Sequence, residues 1–483
     1  MIKKILILFL ICLLNISVAF ALDEQRKYQS LEDFNKAFEK FKNSNVSIAY
    51  VDFENIVNNS PNDNDYINIV LSGKLSDIGF YNLADKARSK IKDKELSQIP
   101  LKNIDIIFHH NKNFDIDDEI YLGESFADIT YNNMSNEVAT ELTSNTALLE
   151  KYDYALYLTS LAWYKNNNLA MAEKYIVEAT TKNPQNVLYK YLQAKILADK
   201  GYKDKALKIA ESIKKDVILT DYYDKKYKEI EEYILYKTSK DETTKNYHLA
   251  NYYYYREDYL RSLKFMPQIN TKNKKEASKI HVLMSKNYVA LKDYKNALQN
   301  AQKAHKLDKK NVDALIILGD IEFQTENYKN ALKHYKIAMN YEKSDYKASI
   351  KVAQSYLKLD KAIKAQSILQ NILKNNSCNC YMAYYLEALL DKGKSQSYLK
   401  KALGLNSEFI DGWLELAKYE IENSNYKEAQ IYLNNAYNLD QTYYKYYYYQ
   451  GLLYKNKKDI DKANYNFQKS KTLNSKYIAV KKD

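Results

Sequence analysis

The chain has 483 residues, room for about three ordinary domains or one long repeat array, with only 9 Gly and 4 Pro. So few turn residues point to helices joined by tight turns, and argue against glycine-cradled phosphate sites, collagen and Pro-rich linkers. Charged residues are 28% and hydrophobic ones 46%, the balance of a globular chain. The net charge of +12 is almost wholly lysine, since only Arg26, Arg88, Arg256 and Arg261 are arginines. Nucleic-acid readers lean on the arginine fork, so no nucleic-acid partner is expected. Abundant Lys, Asn, Ile and Tyr together fit codon bias in an AT-rich genome.

The first element is an address. Lys3 and Lys4 precede the apolar run Ile5 to Leu14, and Ala19-Phe20-Ala21 sets small residues before Leu22. That is the pattern of a secretory signal over 1–21, and the run is short for a membrane span. The expectation is an exported chain, periplasmic or secreted, with an uncleaved N-terminal anchor as the alternative. Cys12 lies inside the apolar run and is not placed for lipid attachment.

The rest of the chain is periodic. Residues 410–440 read IDGWLELAKYEIENSNYKEAQIYLNNAYNLD and residues 444–473 read YKYYYYQGLLYKNKKDIDKANYNFQKSKTL. Trp413, Leu416, Ala417, Tyr426, Ala429 and Ala436 in one match Gly451, Tyr454, Ala463, Phe467 and Ser470 in the other at equal or nearby positions. The pattern resembles the tetratricopeptide repeat (TPR), a 34-residue helix–turn–helix unit. In that register, units begin at Ser30, Asp65, Ile120, Asp153, Val187, Thr243, Ser278, Val312, Tyr346, Cys380, Ile410 and Tyr444. At the eighth and the twentieth position, eleven of twelve units carry Ala, Gly or Ser. Both misfits, Glu387 and Leu399, lie in the shortened unit that begins at Cys380. Small residues belong where the two helices of a pair cross closely. The resemblance implies an all-α fold, a right-handed superhelical solenoid of about twelve TPR-like repeats.

Two stretches depart from the period. Residues 99–119 contain Pro100, an alternating run from Asn103 to Phe108 and an acidic cluster, which predicts an insertion loop with some extended character. Residues 221–242 carry Tyr223, Tyr227, Ile230 and Ile234 at helical spacing, which predicts one extra helix. The organisation is then a signal at 1–21, degenerate repeats over 22–98, the insertion loop, repeats over 120–220, the extra helix, repeats over 243–473 and a tail at 474–483. The tail is too short for a packed helix of its own, so the last unit is expected to cap itself and to fray after Leu473.

Little in the chain points to catalysis. No Gly-rich loop follows a strand, and none of the 6 His sits in a nucleophile motif. His109-His110 reads as an exposed loop pair. Asp117 or Asp118 reads as a helix cap before Ile120, because the acidic cluster lacks the spacing of a calcium loop. Cys378 and Cys380 lack zinc spacing. They are either free, bridged to each other, or bridged between molecules. No enzyme activity, cofactor or metal is expected.

Tyrosine stands out, at 49 residues. In the TPR family, the first helix of each unit lines the concave groove at positions 2, 5, 9 and 12. Carried onto this chain, those positions are Tyr154, Tyr157, Tyr164, Tyr191, Tyr247, Asn251, Tyr254, Phe323 and Tyr448, with lysines such as Lys195 interleaved. Tyrosine pairs stacking area with a polar tip. The resemblance thus implies a non-catalytic scaffold binding protein or peptide in the cell envelope. The alternative is a polysaccharide-handling subunit of an envelope export or assembly machine, its Tyr-lined groove holding an anionic or neutral glycan.

Overall fold

The computed structural model describes residues 30–482 apart from 63, 111–112, 217–220, 270, 343–345 and 375–379. The expected signal and Cys378 lie outside the described residues. Within them, all regular structure is helical, and the helices succeed one another in antiparallel pairs. The unit at Ser278 pairs Lys274–Ala290 with Tyr294–Leu307, and the next pairs Val312–Gln324 with Tyr328–Tyr341. The two small-residue columns meet inside each pair. Ser285 Oγ donates to the carbonyl of Ala297 at 2.7 Å, and Ser160 Oγ does the same to Ala172 at 2.7 Å. Every residue of both columns is buried, the misfits Glu387 and Leu399 included. At Gly319 a Cβ would fall 2.5 Å from the ring of Tyr335, so closeness of the crossing explains the column.

The turn between paired helices explains why glycine is scarce. Eleven of the twelve units place one residue in the left-handed region there: Ser44, Gly79, Asn133, Asn167, Gly201, Glu257, Lys292, Glu326, Asp360, Ser424 and Lys458. Nine of these are not glycine, with φ between 56° and 64°. Nine of these turns, all but those at Ser44 and Asn133, are closed in the same way. In the Asp153 unit, Asn167 N donates to Tyr164 O at 3.0 Å and Asn168 N to Trp163 O at 2.9 Å, the two bonds of a helix C-terminal lock. Asn168 then caps the following helix, its side chain accepting from Met171 N. One short turn thus ends one helix and starts the next. The exception is the shortened unit, where the 3-10 turn Lys392–Lys394 joins Tyr381–Leu390 to Ser395–Leu405.

Stacked repeats ordinarily touch only their sequence neighbours. Here the two ends of the chain also touch each other. Residues 34–104 and 388–453 contribute to a single buried apolar cluster. Tyr66 lies edge-on to the fully buried Trp413 at 5.1 Å. Asn64 Nδ2 donates to Asn435 Oδ1 at 3.1 Å, both side chains sealed from solvent. Asp93 caps its own helix by accepting from Leu96 N at 3.1 Å, and its second oxygen pairs with Lys400 at 2.7 Å. We call this junction the seam.

The seam accounts for most departures from the expected organisation. The stretch expected as an extended loop is largely helix: Lys94–Ile107 carries Pro100 inside it, and the helix Ile116–Thr130 follows. The alternation in 103–108 is local, whereas Leu96, Asn103 and Ile104 share a buried face pressed on Asp65–Asp77 and Ser395–Leu405. Asp117 and Asp118 lie within the first turn of Ile116–Thr130 rather than before it, where the helix dipole still favours them. The C-terminal segment, expected to fray after Leu473, continues as helix, the last one running Ile460–Lys482. Nor does the last unit cap itself alone: Tyr446 and Tyr447 are buried in the apolar cluster that the N-terminal units share. Residues 221–238 form one helix, Asp221–Thr238. The unit after it has a short second helix, Tyr259–Phe265, prolonged by the 3-10 turn Met266–Gln268. No helix among the described residues is long and apolar enough to cross a membrane.

Candidate functional site

The residues expected to line a groove divide into three sets. Tyr154 and Tyr157 are core, at 2% and 5% exposure. Tyr154 meets Tyr81 at 5.2 Å, and Tyr157 stacks on Tyr189 at 5.1 Å. Tyr81 comes from an N-terminal unit, so packing of those units fills what the repeat alone would leave as groove. Asn251 is also buried, its Nδ2 turned back to Tyr247 O at 2.9 Å, and is not offered to a ligand. A second set is scattered: Tyr254 meets Tyr255 at 5.2 Å, Phe323 meets Tyr328 at 5.0 Å, and Tyr448 stays exposed beside Phe467.

Tyr164 and Tyr191 are brought together, and around them lies the most developed polar cluster of the inner face. Tyr191, Lys195 and Asp199 follow one another by four residues on Val187–Asp199, so they form one stripe. Tyr164 comes from the last turn of Asp153–Lys165, and Tyr233 and Lys237 come from Asp221–Thr238. Lys195 Nζ sits 4.9 Å from the ring centre of Tyr233 and 5.9 Å from those of Tyr164 and Tyr191. Asp199 ties the cage together. It accepts from Tyr164 OH at 2.7 Å, from Tyr233 OH at 2.9 Å and from Lys237 at 2.9 Å. Behind it, buried Glu229 takes Lys226 at 3.0 Å and Arg256 at 3.4 Å, while Arg256 Nη1 donates to Tyr252 OH at 2.8 Å.

The electrostatics follow from this packing. Burial lowers the pKa of the Lys195 ammonium, and Arg256 and Lys237 push the same way against Glu229 and Asp199. No hydrogen bond or ion pair joins Lys195 to a carboxylate among the described residues; three π-faces hold it instead. Burial also raises Tyr164 and Tyr233, so both stay protonated donors at neutral pH. Elsewhere three inner-face lysines are paired: Lys286 with Asp313 at 2.9 Å, Lys445 with Asp411 at 3.0 Å and Lys418 with Glu415 at 3.4 Å. Asp313 keeps half its side chain in solvent. Burial still works on its carboxyl, and Lys286, with Lys347 and Lys228 from other units, outweighs it and lowers the pKa.

Sequence periodicity missed Tyr233, Tyr252, Asp199, Glu229 and Arg256. The signal was present in the extra helix, where Lys226, Glu229, Tyr233 and Lys237 share a helical face. Their partners, however, lie in three other units. The histidines are held rather than exposed. His109 Nδ1 lies 3.0 Å from Asn183 Oδ1, and His110 Nε2 lies 3.0 Å from Asp85 with its ring stacked on Tyr81 at 5.0 Å. No group of three or more metal-ligating side chains occurs among the described residues. Cys380 is disulfide-bonded.

No protein-family model matches the chain, and no curated protein matches it. Among solved structures it is similar to the Cut9–Hcn1 hetero-tetramer of the APC/C, at 12% identity and TM-score 0.37 over 74% of this chain and 87% of that one. It is similar to yeast Tom70 at 15% identity and TM-score 0.34, covering 71% of this chain and 89% of that one. PilF of Pseudomonas aeruginosa gives 19% identity and TM-score 0.34 over 40% of this chain and 90% of that one. The TPR-like fold of this chain rests on its own paired helices, buried columns and recurring turn.

Proposed function

We propose that the chain is a non-catalytic, exported helical-repeat scaffold that binds protein or peptide partners in the cell envelope through its inner face. The Lys195 patch carries this reading. It gathers four tyrosines and an unpaired ammonium from four helices, whereas Lys286, Lys418 and Lys445 are each paired with a carboxylate within the chain. Such a surface offers stacking area and fixed donors at low entropic cost. The test is a photo-crosslinking amino acid at Tyr252 in envelope preparations. A discrete protein adduct is expected, lost in Lys195→Glu and kept in Lys457→Glu. No protein adduct, or one indifferent to Lys195, would overturn the reading. N-terminal sequencing of the chain from cells tests export: Leu22 as first residue supports a cleaved signal, Met1 an anchor.

A second reading, a subunit that handles polysaccharide, is favoured by one observation. Pairing of Lys286, Lys418 and Lys445 leaves tyrosine rings and hydroxyls prominent on that face, which suit a neutral glycan better than a polyanion. A glycan adduct in place of a protein adduct in the same experiment would select it.

A further inference from the structure

A cleft of about 700 Å³ opens where the two ends of the chain meet, a size in the range of small-ligand sites. Glu32 and Asn35, from the first described helix at 30–42, stand on one wall. The last two units supply the other, with Tyr437, Asn438, Tyr447 and Lys469. Several hydrogen-bond donors line it. The Lys469 ammonium lies 4.2 Å from the ring centre of Tyr447, and no carboxylate among the described residues pairs with it. Asn438 Nδ2 is buried and meets no acceptor among the described residues. The carboxylate on the facing wall, Glu32, stands in solvent and forms an exposed ion pair with Lys36 at 3.0 Å. Tyr447 OH donates to the carbonyl of Gln441 at 2.8 Å, which fixes the turn carrying the Gln441 amide at the rim.

We infer that this cleft binds a short acidic saccharide, with its carboxylate on Lys469 and its hydroxyls on the amides of Asn35 and Gln441. An amide both donates and accepts, which matches a hydroxyl, and tyrosine bodies suit the apolar faces of a sugar ring. The walls are helices whose backbone groups bond internally, so they offer no ladder to an extended peptide. The site lies at the seam, away from the Lys195 patch, and does not depend on the inner-face reading.

The test is calorimetric titration of the full exported chain with a galacturonate tetramer, its methyl ester and tetraglutamate. Saturable one-site binding of the uronate is expected, weakened about tenfold or more by esterification or by Lys469→Gln. Lys469→Arg, which keeps the charge, retains most of the affinity. Asn35→Ala, at an exposed position on the opposite wall, also weakens binding. Lys457→Gln, an exposed lysine outside the cleft, changes nothing. Absence of saturable uronate binding, equal loss in Lys457→Gln, or tetraglutamate binding as tightly as the uronate would each overturn the proposal.

Discussion

The units at Ser278 and Val312 and the units joined at the seam use the same helix pair, yet they are stabilised differently. In the first region each helix touches its sequence neighbours, and the columns at Ser285, Ala297, Gly319 and Ala331 account for the packing. At the seam the decisive contacts join residues as many as 371 positions apart, as Asn64 and Asn435 are. Regular units therefore stand on a repeated local rule, whereas the seam stands on individual matches such as Tyr66 on Trp413. A repeat array can acquire a non-local core without altering its unit.

The strongest test of that contrast is Trp413→Ala. It empties the largest fully buried side chain, and a loss of about 3–5 kcal/mol is expected in urea denaturation. If the seam is a shared core, hydrogen exchange should also speed up in Asp65–Asp77, while Val312–Gln324 stays protected. Unchanged exchange in Asp65–Asp77 would break the comparison.

Acidity should distinguish the regions next. Glu119 is fully buried and accepts from Tyr50 OH at 2.9 Å and from Asn82 N at 2.7 Å, joining three helices of the N-terminal units. Burial pushes its carboxyl up to about 7, against those hydrogen bonds. An unfolded glutamate ionises near roughly 4.3. Between the two values the folded state binds the extra proton, so this contribution favours folding at the acidic end and is lost as pH rises through about 7. For His110, burial lowers the imidazole but the hydrogen bond to Asp85 outweighs it, so its raised pKa acts in the same direction. Glu119→Gln should therefore gain on the parent protein between pH 5 and pH 8, by on the order of 3 kcal/mol. A stability difference independent of pH would remove this role.

Within the regular region, Ala331→Leu should overpack a helix crossing and cost about 1–3 kcal/mol. A neutral melting curve would mean that the column is not a close contact. The smallest effect concerns the turns. Gly201→Ala adds a Cβ that meets nothing within 4 Å, so only backbone strain remains, worth about 1 kcal/mol. Glu326→Gly should relieve comparable strain and raise stability by up to about 1 kcal/mol, read from paired melts.

The all-α fold and the buried columns could be read from residues because they obey a period. The turn was legible only in part. Its left-handed position holds Ser, Asn, Glu, Lys or Asp as often as needed, and closure by two backbone bonds leaves little mark on residue type. The seam left no periodic trace, because Tyr66 and Trp413 look like ordinary repeat residues until they meet. That is also why Tyr154 and Tyr157 looked like groove residues: the packing that buries them comes from other units, from Tyr81 on Tyr154 and from Tyr189 on Tyr157. The Lys195 patch stood between these cases, with Tyr164 and Tyr191 found by register and Tyr233 hidden in a helix outside it.

The seam also sets a clock. Asn64 and its surroundings leave the ribosome before Asn435 exists, and at about 5–20 residues per second the 371 intervening positions take roughly 20–75 s. Throughout that interval Tyr66 and the apolar face around it have no partner. A nascent chain in this condition is a client for any holdase that screens hydrophobic surface. Truncations ending before residue 400 should accumulate as aggregates, although most of their repeats are complete.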